Sequence, residues 1–101
     1  MHKDVAEKLN RIAEICESYE VERLEVFGSA ARGSDFSNSS DVDLLYVFKP
    51  NTQTFLSRYF GLKRDLSSAL GRSVDLINTN AIKNPYVLER ANTERELIYA
   101  S

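Results

Sequence analysis

Three aspartates and one glycine–serine pair carry the residue types best suited to chemistry in this chain. Asp41 and Asp43 stand two apart at the entrance to an apolar run, Val42 to Phe48, that reads as a strand. Side chains alternate faces along a strand, so both carboxylates point the same way. Two carboxylates on one face repel each other, and a cation would relieve that. Mg²⁺ fits, because it prefers hard oxygen ligands and takes the rest of its shell from water and phosphates. Asp75, between Val74 and Leu76, opens the next strand-like run. If the two strands are neighbours, the three carboxylates could hold two Mg²⁺ ions about 3.5–4 Å apart, as in-line phosphoryl transfer requires. Upstream, Gly28-Ser29 ends a strand-like run and opens a turn. Such a junction offers backbone N–H groups and a hydroxyl to an anion, and glycine allows close approach. Arg32, one turn on, could reach a phosphate with its forked guanidinium.

The elements that would position these residues follow from periodicity. Val5, Leu9, Ile12, Ile15/Cys16 and Tyr19 recur at helical spacing and predict an amphipathic helix over 3–18. "ERLEVF" (22–27) predicts a short strand, 29–33 a helical turn, and "GSDFSNSS" a loop in which Asp35 and Ser40 serve the turn rather than the site. "VDLLYVF" (42–48) predicts a central strand. Phe55, Tyr59, Leu62, Leu66 and Leu70 mark the core face of a helix over 52–70, stopped by Gly71. "SVDLIN" (73–78) predicts a third strand, Asn84-Pro85 the start of a short helix, and "ELIYA" a final strand. This order predicts a two-layer α/β (α+β) arrangement, a small mixed sheet packed with helices. The helix between the second and third strands is long enough for a parallel crossover.

Bulk properties narrow the classes. The 101 residues suit one domain over 1–101 with one modest core. Thirteen basic and 15 acidic residues leave a net charge of −2, so no basic surplus points to nucleic acid. No apolar run approaches the roughly 18–20 residues of a membrane span, and the charged N-terminus is unlike a signal peptide. Cys16, the single cysteine, cannot form an internal disulfide and sits in an apolar stripe, where it reads as a small hydrophobe rather than a catalytic thiol. His2, the single histidine, lies at the fraying start. The expected location is cytoplasmic.

The stretch "GSAARGSDFSNSSDVDLLYVF", with Gly-Ser, Ala-Arg-Gly and Ser-Asp-x-Asp-Leu in order, resembles the signature of the DNA polymerase β superfamily of nucleotidyltransferases. "SVDLI" falls where that family places a third carboxylate. The length is similar to that of the minimal nucleotidyltransferases, the MNT proteins. The resemblance implies that Gly28 and Ser29 cradle nucleotide phosphates, that Arg32 assists them, and that Asp41, Asp43 and Asp75 ligate two Mg²⁺ ions. It implies attack of an acceptor hydroxyl on the α-phosphorus of ATP or another NTP, with pyrophosphate leaving. Larger members carry a second domain for base and acceptor. A lone minimal domain would need a partner or a second copy of itself in a homo-oligomer. MNT antitoxins that transfer AMP to a tyrosine of a HEPN toxin supply the leading expectation. The alternatives are transfer to a small molecule, such as an antibiotic, and a catalytically silent module that neutralises a partner by contact. Lys63 and Arg64 read as a solvated face that could touch an acceptor.

Overall fold

A computed structural model of the chain describes residues 3–27, 41–50, 55–79, 86, 89 and 95–101. The expected turn over 29–33, the loop that follows it and the start of the second helix lie outside the described residues. So do Asn84 and Pro85; in the short helix expected there, the described Tyr86 and Glu89 are helical.

The described elements are α1 (Lys3–Ala6), α2 (Leu9–Ser18), β1 (Val21–Phe27), β2 (Val42–Phe48), α3 (Phe55–Leu70), β3 (Val74–Asn78) and β4 (Glu96–Ala100). The strands form one sheet in the order β3-β2-β1-β4. β1 pairs antiparallel with β2 and with β4, while β2 and β3 run parallel through the α3 crossover. The mixed α+β sheet expected from the sequence is therefore present.

Helices α2 and α3 pack on one sheet face. Val5, Ile12, Ile15 and Cys16 meet Leu24 and Val26 of β1, Val42 and Leu44 of β2, Leu62 and Leu66 of α3, and Val74 of β3 in one apolar cluster. Burial pushes the Cys16 thiol up to about 12, so it is an inert core group. The single helix expected over 3–18 is divided. The Lys8 N–H donates to the Val5 carbonyl three residues back, at 3.0 Å, and tightens the chain there. The division lets Val5 and the Ile12/Ile15/Cys16 stripe share one core, and Asp4 is pinned to Arg72 at 2.8 Å.

α3 ends as its glycine predicts. Gly71 takes φ +66°, and the N–H groups of Gly71 and Arg72 both donate to the Ser67 carbonyl. The α3 core face is narrower than the periodicity suggests. Leu62 and Leu66 are sealed, whereas Phe55 is 41% exposed. Phe55 packs instead in an aromatic row, 5.8 Å from the Phe48 ring and 6.4 Å from Tyr59. Among the described residues, no helix is long and apolar enough to cross a membrane.

Candidate functional site

Alternation along β2 divides its side chains. Val42, Leu44 and Tyr46 enter the helix-covered core, so Asp43, Leu45 and Val47 belong to the opposite face. Asp41 leads the strand with the same parity. On β3, Val74 and Leu76 join the core and Asp75 takes the other face.

The parallel register then matters. Val42 pairs with Val74 and Asp43 with Asp75, and the Val42 N–H donates to the Ser73 carbonyl at 3.0 Å. Residues level in adjacent strands share a face, so Asp43 and Asp75 are direct neighbours. Sequence reasoning required β2 and β3 to be adjacent for this to hold, and they are.

The electrostatics follow. Asp43 is half-buried, and its carboxyl is held above the ordinary carboxylate value of 3.8. Burial is the first cause. The Asp75 charge comes next, then a hydrogen bond with Asp75, then the Asp41 charge. Among the described residues, no basic side chain forms an ion pair with any of the three aspartates.

The three carboxylates are not a closed cage. Among the described residues, no three acidic, histidine or cysteine groups gather as a metal site. The close unit is the Asp43–Asp75 pair, with Asp41 exposed two residues ahead. An open set of hard oxygens in a repelling pair suits Mg²⁺, which is usually held by one or two carboxylates plus waters and substrate phosphates.

Beside the pair, a depression of about 690 Å³ opens between the end of α3 and the leading ends of β2 and β3. Asp41, Lys63, Ser67, Ser73 and Asp75 are among the residues that line it. The two basic residues expected on the solvated face of α3 have separate settings. Lys63 faces this depression. Arg64 turns away, to Asp65 at 3.1 Å and the Tyr19 hydroxyl at 3.3 Å. Nothing in the spacing of Ser67 and Ser73 marks them in the sequence. Gly28, Ser29 and Arg32 lie outside the described residues. Phe27, which precedes Gly28, pairs with Asp43.

Comparison with known proteins bears on the family and the fold. The family model described as Polymerase beta, Nucleotidyltransferase matches residues 10–101. A protein of Methanocaldococcus jannaschii provisionally named a protein adenylyltransferase is 36% identical over 97 residues, covering 96% of this chain and 92% of that protein. A solved structure provisionally described as a minimal nucleotidyltransferase superposes with a TM-score of 0.77 at 28% identity, over 95% of both chains. The fold is also shared, with a TM-score of 0.65 at 16% identity, by a chain from a structure of tri-AMPylated Shewanella oneidensis HEPN toxin in complex with MNT antitoxin. That match covers 96% of this chain and 73% of the other. By sequence and by fold, the chain belongs to the polymerase β nucleotidyltransferase family and is a nucleotidyltransferase.

Proposed function

We propose that this nucleotidyltransferase is Mg²⁺-dependent and transfers AMP from ATP to a hydroxyl of a protein partner, with a tyrosine of a HEPN-type protein as the acceptor. The observation that carries the metal assignment is the register of Asp43 on Asp75, two carboxylates placed side by side with no ion-paired cation among the described residues. The name of the M. jannaschii relative supports a protein acceptor. The HEPN assignment is supported by the fold shared with the complex of AMPylated toxin and antitoxin.

In this reading Asp41, Asp43 and Asp75 supply the oxygens for two Mg²⁺ ions. Mg²⁺ when bound neutralises triphosphate charge and lowers the proton affinity of an attacking hydroxyl. Gly28 and Ser29 hold phosphate oxygens, and Arg32 adds a forked donor. Asp75 helps take the acceptor's proton. The acceptor oxygen bonds to the α-phosphorus, the bond to the β-phosphate oxygen breaks, and pyrophosphate leaves. The chain's own contribution is alignment and charge placement.

Intact-mass analysis of a HEPN-type protein encoded beside this one, incubated with this chain, ATP and Mg²⁺, tests the reading. Additions of AMP that vanish with EDTA are expected. A stable complex without any addition would replace the enzyme reading of the pair with neutralisation by contact. Neither addition nor complex would move the acceptor to small molecules.

A further inference from the structure

Glu25 is 3% exposed, yet it lies on the sheet face that carries Asp43 and not in the helix-covered core. Two arginines hold it. The Arg23 Nε–H donates to Oε1 at 3.1 Å, and Arg95 Nε stands 3.2 Å from Oε2. A buried ion pair is weak evidence for stability, because the desolvation cost offsets much of the attraction. Its place in the sheet suggests another purpose.

β1 and β4 pair Glu25 with Leu97 and Val26 with Glu96. The paired register stops there; Arg95 immediately precedes Glu96, as Phe27 follows Val26. Phe27 pairs with Asp43, and Asp43 pairs with Asp75. Phe27, Asp43 and Asp75 therefore form one row across β1, β2 and β3, and Arg95, just before β4, is held to Glu25 on the same sheet face. β4, which Arg95 leads, and β2, which carries Asp43, flank β1 and so lie two strand spacings apart, about 9–10 Å. Arg95 meets Glu25 through Nε, and its terminal N–H groups have no partner among the described residues. Two arginines on one carboxylate leave a net positive charge beside the acidic pair.

We propose that Arg95, oriented by Glu25, is a positioning residue that receives the triphosphate of the nucleotide held at Asp43. Its charge opposes the acidic pair across β1, so a polyanion spanning them would meet the acidic, metal-holding end on one side and the guanidinium on the other. Glu25 fixes the guanidinium plane through Nε and leaves the outer edge for a forked phosphate contact. This inference rests on the nucleotide site proposed above.

The test is titration of the full chain with Mg²⁺ and α,β-methylene-ATP, which cannot be transferred, and separately with Mg²⁺ pyrophosphate. Arg95→Ala is expected to weaken both ligands by roughly 10- to 100-fold, the worth of a charge-assisted hydrogen bond. Arg95→Lys, which keeps the charge but not the fork, is expected to fall between, at unchanged Tm. Glu25→Gln is expected to weaken both ligands less than Arg95→Ala does. If Arg95→Ala fails to fold, Arg95→Lys alone decides. Wild-type affinity in Arg95→Lys and in any folded Arg95→Ala overturns the proposal, and so does a Tm loss without an affinity loss. If the wild type binds neither ligand, the nucleotide site itself fails and this inference falls with it. Wild-type binding with no effect at Arg95 overturns this inference alone.

Discussion

Asp43 and Asp65 are both aspartates beside other polar side chains, and their surroundings act in opposite directions. Asp65 accepts the Tyr19 O–H at 2.6 Å and lies 3.1 Å from Arg64 Nε, and these contacts hold its carboxyl below the ordinary range, the Tyr19 bond first. Asp43 sits against Asp75 with Asp41 ahead, and burial and then those neighbours hold it above that range. The fold can therefore satisfy an aspartate, and does so where α2 meets α3. It leaves the β2–β3 pair without a cationic partner among the described residues, which is what the proposed Mg²⁺ site calls for.

The substitution expected to have the largest effect is Asp43→Asn. It should lower the transfer rate by about 10³-fold or more, since metal contacts are worth several kcal/mol at the transition state. The metal-free variant should be as stable as the wild type or more so, because a repulsion is removed. Single-turnover assays and thermal melts in EDTA check both halves. The core offers the opposite pattern. Leu44→Ala, one residue from Asp43 but on the helix-covered face, should cost about 2–5 kcal/mol of stability by denaturant titration.

Gly61→Ala breaks the satisfied region. A methyl group there would collide with the Tyr19 ring, whose Cζ and hydroxyl oxygen would both lie at 2.9 Å from it. The expected loss is about 1–3 kcal/mol, with transfer retained in the folded fraction. Glu20, at φ 57° after α2, is a non-glycine residue in the left-handed region. Glu20→Gly should gain roughly 0.5–1 kcal/mol. This is the smallest effect in the series, measured by the same titration.

Titration separates the two aspartates by sign. A carboxyl raised in the folded state favours folding below its unfolded value and loses that contribution as pH rises through the folded value. In EDTA, the Tm advantage of Asp43→Asn should therefore grow as pH rises from below 3.8 through the raised Asp43 value. Asp65 behaves in reverse. Its contribution is present above the ordinary value and is lost as pH falls through its lowered one, so Asp65→Asn should matter least in acid.

Strand alternation in "DVDLLYVF" and "SVDLIN" makes the shared face of Asp41 and Asp43 legible in the residues themselves, because a period of two follows from backbone geometry alone. It cannot show that Asp43 is level with Asp75, since register depends on strand order and on the length of the α3 crossover. The split at Lys8 is hidden because the apolar stripe continues across it. Phe55 fits the helical period but lies too near the helix start to reach the core. Arg95 and Glu25 are invisible as a pair, being 70 residues apart, one on β1 and the other just before β4, strands that the sequence does not show to be adjacent.

The most direct test of the central claim, that Asp43 and Asp75 repel until a cation joins them, is thermal melting with Mg²⁺ and with EDTA, in wild type and in Asp43→Asn. Mg²⁺ is predicted to raise the wild-type Tm and to leave Asp43→Asn unmoved. An equal Mg²⁺ response in both proteins, or none in the wild type even with ATP present, would contradict it.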